Sequence, residues 1–333
     1  MFYKYHSKDF DNSILLAFKF RSQWNHHVIL KVSHGFNPFV CFLNEFGYTD
    51  SRLVVDTIKK FCSAAKINIV LIDPEFASWI DESFISLLKK DLTVGIFIFD
   101  NHLYPESKKL CHISSFVLAA DPLFALECQS YGIPALFFPL EGEFLDLTPD
   151  IPLESSPYDV IFYGSVTEAR KLFIDSLESL SGIRIRIHDS AKERIDYSEL
   201  KSLIQSARIC INLSRFVLPA WGGATVLQGY FLGSTTKVPF RYGHKGRIQE
   251  TGFAGRLCIS ELTPTLFMQG LDQLVPQFTY PSEMCRLVSE YAKMPDKLLS
   301  EHISLFSKKV DQEFSNMTVG LRLANFCNDL NLK

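Results

Sequence analysis

Several groups along this chain have the types and spacing needed to hold an anion. Gly164 and Ser165 interrupt a short apolar, β-branched run at 160–163 just before a helical periodicity begins, so they read as the turn of a strand–turn–helix unit. A glycine there lets the backbone approach a ligand closely. Ser165 and Thr167 are natural N-caps that leave amide N–H groups of the first helical turn pointing outward, an arrangement suited to phosphate. Arg170 lies in the first turns of the following helix and is placed to reach back toward the turn. Further on, the glycine-punctuated stretch R-Y-G-H-K-G-R at 241–247 offers cations, with Arg241 and Lys245 as phosphate partners; the planar fork of arginine favours it for that role. Among titratable groups, His34 sits in the turn-rich S-H-G-F-N-P as a candidate acid, base or hydrogen-bond donor, Asp100 closes an apolar run, and Glu141 opens an acidic loop.

The elements that must position these groups alternate. Runs at 13–18 and 28–32 suit strands, and if the second is a parallel strand, the loop holding His34 lies at a carboxyl edge, where open α/β sheets bind ligands. Residues 50–66 have helical spacing, with Leu53, Val54, Ile58, Phe61 and Cys62 on one face. They lead into an apolar strand at 67–72. A helix over 81–90 precedes a strand at 93–99 that runs into Asp100. The design repeats with a strand at 116–120, a helix at 122–130 and a strand at 135–138. Strands buried on both faces and alternating with helices call for a parallel sheet with right-handed crossovers. The proline-rich acidic stretch 139–157 reads as a linker. A second α/β set follows, with a strand from 159, a helix at 168–181, a strand at 183–188, a helix near 197–206 and a strand at 208–213. Beyond 260 the sequence turns helical over 264–274, 281–293 and 295–330. The economical architecture is α/β: two doubly wound, Rossmann-like domains facing each other across a cleft.

Composition bounds the function. Hydrophobic residues make up 47% and charged residues 21%, ample for two soluble cores, and no stretch has the 18 or so uninterrupted apolar residues of a bilayer span. The N-terminus has no apolar run suited to a signal peptide, and the eight cysteines are scattered without metal spacing, so a cytoplasmic location is expected. Residues 73–150 hold 13 acidic against 4 basic residues, whereas 164–256 hold 14 basic against 8 acidic. Such a split reads either as two solvated faces of opposite sign or as a second half that holds an anionic ligand while the first supplies carboxylates. The basic residues are not massed into an aromatic-studded stripe, which argues against nucleic acid.

The strand followed by Asp100-Asn101, the segment F-V-L-A-A-D-P-L-F-A-L-E-C-Q-S-Y-G-I-P-A-L-F-F-P-L, then I-F-Y-G-S with Arg170, A-R-I-C-I-N-L-S, and F-S-N-M-T-V-G-L-R-L-A-N-F occur in an order that resembles the GT-B glycosyltransferases. Within that fold the chain is similar to the spore-maturation CgeB-like and group 1 (GT4-like) families. The resemblance implies an acceptor-binding domain at 1–150, a nucleotide-sugar donor domain at 151–315, and a terminal helix at 316–333 packing back on the first. It implies sugar transfer to a glycan, glycolipid or other hydroxyl acceptor, with no cofactor beyond the donor itself, no metal, no nucleic acid, and room for peripheral membrane contact. Donor contacts are then expected from Gly164, Ser165, Arg170, Arg241 and Lys245, from Asn212, Ser214 and Arg215 at a strand end, and from the glycine group with Gly222, Gly223 and Gln228. Asp100 leads the candidates for general base, followed by His34 and Glu141. Group 1 members carry an arginine and a glutamate ahead of an alanine/glycine turn; aligned on Gly233, those positions hold Thr225 and Gln228. A non-catalytic nucleotide- or glycan-binding protein of the same shape is the alternative. An NAD-type oxidoreductase is disfavoured by the missing G-x-G-x-x-G.

Overall fold

A computed structural model of the chain describes residues 2–5, 10, 12–19, 23–47, 50–74, 79–99, 109–144, 150–217, 240–242 and 246–331, with the backbone alone at 23–24, 215–217 and 240–242. Asp100, Gly222, Gly223, Thr225, Gln228 and Lys245 lie outside the described residues. The chain divides into two compact units, one made of Met1–Leu140 with Asn316–Lys333 and the other of Glu141–Ser315.

Unit 1 contains, in chain order, β1 (Phe2–Lys4), β2 (Ser13–Phe18), α1 (Gln23–Val32), β3 (Asn37–Phe42), α2 (Ser51–Ala65), β4 (Ile69–Ile72), α3 (Glu82–Leu88), β5 (Thr93–Ile98), β6 (Phe116–Ala119), α4 (Pro122–Ser130) and β7 (Ala135–Phe137). The strands lie in the order β1-β3-β2-β4-β5-β6-β7, and every pairing is parallel except β1 with β3. Alternate residues of one strand go to opposite cores. Leu15 and Ala17 pack with Val54, Ile58 and Phe84 of α2 and α3, whereas Ile14, Leu16 and Phe18 pack with Val28, Ile29 and Val32 of α1. Burial on both faces is why these strands read as continuous apolar runs.

Two expectations fail here for instructive reasons. The run at 28–32 is the second half of α1, not a strand, because Val28, Ile29 and Val32 fall on one helical face and that face packs on the sheet. The strand is Asn37–Phe42 instead, so the turn carrying His34 precedes it and lies at the amino edge of the sheet. On α2, Leu53 points outward at 68% exposure, while Val55 takes its place among the buried residues.

Unit 2 contains β8 (Tyr158–Tyr163), α5 (Glu168–Glu178), β9 (Ile185–His188), α6 (Tyr197–Gln205), β10 (Ala207–Asn212), the antiparallel ribbon β11 (Arg215–Val217) and β12 (Phe240–Tyr242), α7 (Arg247–Phe253), β13 (Leu257–Glu261), α8 (Pro264–Met268), β14 (Gln277–Phe278), α9 (Pro281–Ala292) and α10 (Asp296–Phe314). Its parallel sheet has the order β14-β13-β10-β8-β9. The chain leaves β8 through α5 to β9 on one side, then returns through α6 to β10 on the other. Helix α5 packs on one face with Val160 and Phe162, and α6 on the opposite face with Ile161 and Tyr163. The strand order therefore reverses between β8 and β10, and the carboxyl ends of those two strands flank the crevice where doubly wound sheets take ligands.

The helical stretch expected over 295–330 is two helices, α10 and then α11 (Asn316–Asp329), with Ser315 in extended conformation between them. Helix α11 belongs to unit 1, where Val319, Leu323 and Cys327 join the α1 core. Gly320 is required by this packing: a Cβ there would lie 2.0 Å from the Lys31 carbonyl oxygen. Lys31 itself is fully buried, and its ammonium donates to the carbonyl oxygens of Pro139 (2.6 Å) and Leu140 (2.9 Å).

Candidate functional site

At the end of β8, Gly164 takes φ +131°, a conformation that side chains disfavour. The group that needs the missing side chain's space is the guanidinium of Arg247: a Cβ on Gly164 would lie 2.0 Å from Arg247 Nη2. Arg247 is the first residue of α7. Its guanidinium rests 5.5 Å from the ring of Phe162 and 5.7 Å from that of Tyr163, with Nη1 3.5 Å from the Leu213 carbonyl oxygen just past β10. It thus spans the two strands at the switch point. Burial lowers its pKa, opposed by Tyr163 and Glu250.

A second guanidinium meets the same turn. Arg170 sits on α5, is 4% exposed, and donates from Nη1 to the Ser165 carbonyl oxygen at 2.9 Å. Its pKa is pushed down to about 9, first by burial and then by the charge of Arg247. Two arginines that feel each other's charge at one turn, with Glu261 as an opposing charge near Arg170, form an environment that an anion would stabilise.

The first turn of α7 is tied to β8. The Tyr163 hydroxyl donates to Glu250 Oε2 at 3.0 Å and lies 3.3 Å from the Arg247 carbonyl oxygen. Glu250 is 6% exposed, and its pKa is pushed up to about 7, by burial first and the nearby Glu141 second. The Glu141 carboxyl lies against Gly246, where a Cβ would be 1.9 Å from Oε1. Tyr197 of α6, 3.5 Å from the Gly142 carbonyl oxygen, feels both carboxyls.

The carboxyl ends of β10 and β13 add neutral donors and acceptors. Asn212 donates from Nδ2 to Ser214 Oγ (3.0 Å) and Ser260 Oγ (2.9 Å), and the Ser214 amide donates to Glu261 Oε2 (3.0 Å). All four residues are fully buried. On the other side of β8, past the end of β9, Asp189 accepts from the Val166 amide at 3.0 Å, and Ser165 Oγ meets Ser190 Oγ at 3.1 Å. Thr167, the N-cap of α5, makes no side-chain capping bond.

The structure therefore gathers Gly164, Ser165, Arg170, Asn212 and Ser214 at one sheet edge. Arg215 and Arg241 lie on the facing strands of the β11–β12 ribbon, next to each other's register partners. His34 is elsewhere, at the amino edge of unit 1, where its Cβ approaches Gly320 of α11. Glu141, expected as a base from the first domain, belongs to unit 2 and is turned onto the start of α7, because the chain divides after Leu140. Arg247 and Glu250 were not singled out from the sequence, yet the signal was present. Aligned on Gly255 instead of Gly233, the same spacing that gave Thr225 and Gln228 gives Arg247 and Glu250, followed by Ala254-Gly255 with Gly255 at φ +66°.

No protein-family model and no curated protein sequence matches the chain. Solved structures do. A glycosyltransferase from Rickettsia africae superposes with a TM-score of 0.62 at 11% identity, covering 99% of this chain and 100% of its own. The Anabaena protein HepE in complex with UDP-glucose gives 0.58 at 9% identity over 95% and 99%. The lipopolysaccharide outer core galactosyltransferase WaaB gives 0.55 at 9% over 96% and 99%. By this likeness the chain has the GT-B glycosyltransferase fold, with two Rossmann-like units. Among the described residues no helix is long and apolar enough to cross a membrane.

Proposed function

We propose that the protein is a glycosyltransferase that moves a sugar from a nucleotide-sugar donor, gripped by unit 2, to the hydroxyl of a glycan, glycolipid or similar acceptor. The observation that carries this reading is the meeting of Arg170 and Arg247 on the Gly164–Ser165 turn at the switch point of unit 2. As the bond between the anomeric carbon and the phosphate oxygen breaks, negative charge builds on the leaving nucleotide, and fixed guanidinium groups hold that charge better than they hold the intact donor. The acceptor oxygen forms the new bond to the anomeric carbon and gives its proton to a base. Asp100, which in sequence follows the apolar run 93–99, is the proposed base, and unit 1 the proposed acceptor side. The cations are side chains, so the reading calls for neither a metal nor a resident cofactor. Eight cysteines without a disulfide accord with a cytoplasmic setting.

HepE, crystallised with UDP-glucose, makes UDP the first nucleotide to try. Thermal unfolding with UDP, GDP, CMP and TDP, together with donor hydrolysis, tests the reading. One nucleotide should raise the unfolding midpoint by mass action, and its sugar conjugate should be slowly hydrolysed. A shift without turnover would make the chain a nucleotide-binding protein of the same fold. No shift with any of the four would remove the donor site altogether.

A further inference from the structure

Resting on the donor site just described, we propose that Tyr163 is a positioning residue: its hydroxyl locks the first turn of α7 to the end of β8 and so sets the Arg247 guanidinium at Gly164, where a pyrophosphate would be held. The hydroxyl reaches two groups of that turn, Glu250 Oε2 at 3.0 Å and the Arg247 carbonyl oxygen at 3.3 Å, and the ring lies beneath the guanidinium at 5.7 Å. One side chain thus holds Arg247 at both its backbone and its head. Without the hydroxyl, the α7 turn loses this tie to the strand, and the guanidinium, which among the described residues rests against two rings and a carbonyl oxygen 3.5 Å away, can swing toward Glu250.

The contact also links anion binding to a proton. The groups that face Glu250 are Tyr163 from β8, Arg247 from its own helix, Glu141 from the segment entering unit 2, and Tyr197 from α6; Cys210 of β10 lies on the same face. Glu250 in its neutral form leaves Arg247 to the ligand. Glu250 in its ionised form competes for Arg247, so anion affinity falls as pH rises through about 7. The hydrogen bond from Tyr163 favours the ionised form, and removing it moves that fall to higher pH.

The test compares the intact protein with Tyr163→Phe by calorimetric titration of UDP and of inorganic pyrophosphate between pH 6 and 8.5. NMR of the Arg247 Nε resonance is recorded in parallel without ligand. The expected result is a roughly tenfold weaker affinity for both anions at pH 6, a fall in affinity displaced to higher pH, and an Arg247 resonance broadened in the variant. A purely structural role would lower the unfolding midpoint and leave the pH of that fall where it was. Unchanged affinity with an unchanged pH profile overturns the proposal. If neither anion binds the intact protein but the Arg247 resonance changes in Tyr163→Phe, the donor-site reading fails and the positioning role stands. If neither changes, both fail.

Discussion

Units 1 and 2 each wrap helices around a doubly wound parallel sheet, but they differ in what they bury. In unit 1 the buried polar and charged side chains among the described residues are Asn25, His27, Lys31, Ser114, Asp121 and Asn316, and three of these share α1. In unit 2 they are more numerous: Ser156, Gln205, Ser206 and Arg256 gather at the amino ends of β8 and β10, and a second set, Arg170, Asn212, Ser214, Glu250, Ser260 and Glu261, lies toward the carboxyl ends, all under a tenth exposed. Desolvating such groups costs several kcal/mol unless partners compensate. A sheet that needed only to fold would be built as unit 1 is. The difference teaches that the polar edge of unit 2 is retained for something other than stability, which is where an anion-binding function belongs.

That contrast can be broken or sharpened by experiment. The largest effect is expected from Gly164→Ala, which combines a disfavoured backbone with a methyl 2.0 Å from the Arg247 guanidinium. It should destabilise by about 4 kcal/mol and abolish nucleotide-induced stabilisation, as read by denaturant melts with and without UDP. A variant that melts like the parent would show that Arg247 does not depend on that glycine.

Next comes the pH dependence of Glu250. Its folded pKa, about 7, lies above its ordinary 4.5, so the folded chain holds a proton that the unfolded chain releases between those values. Stability from this group is fully present below about pH 4.5 and lost as pH rises through about 7, by about 3 kcal/mol in all. Denaturant melts at pH 5 and pH 8 should show that slope in the parent and not in Glu250→Gln. An equal slope in both would place the titrating group elsewhere.

In unit 1 the matching experiment is Lys31→Met. It strips the donor from two carbonyl oxygens while sparing the burial of a charge, so a net loss of about 2 kcal/mol is expected, with no change in nucleotide affinity. A change in affinity would blur the division of labour between the units. The smallest effect is reserved for Lys59→Met. It breaks the Lys59–Asp91 pair at 2.6 Å, whose aspartate is 63% exposed, and should shift stability by less than about 1 kcal/mol.

Much of the fold could be read from the chain because strands buried on both faces announce themselves as unbroken apolar runs; β4, β5, β6 and β10 all do so. Helix α1 was misread because Val28, Ile29 and Val32 also satisfy the strand pattern over so short a run, and only packing on the sheet decides between them. At the site, the reach of Arg170 back to Ser165 followed from helical spacing alone. For Arg247 the spacing ahead of Ala254-Gly255 marks the residue, but its seat at Gly164, 83 positions away, is a contact that no local pattern contains. Nor did the basic excess of 164–256 reveal which cations are free to bind. Arg256 spends its guanidinium on four backbone carbonyls, of Ala207, Gly255, Ile151 and Gln205, and Arg184 closes on Asp159 at 2.7 Å.

The seating of α11 against α1, with Gly320 pressed onto the Lys31 carbonyl, also constrains how the molecule is made. Unit 2 is one continuous piece of polypeptide, whereas unit 1 is assembled from the two extremities of the chain. During synthesis the part of the α1 core that receives Val319, Leu323 and Cys327 must therefore wait, uncovered, until α11 has been translated. The nascent N-terminal half should for that reason be the stage at which a chaperone is recruited, and a ribosome stalled before residue 316 should leave it sticky.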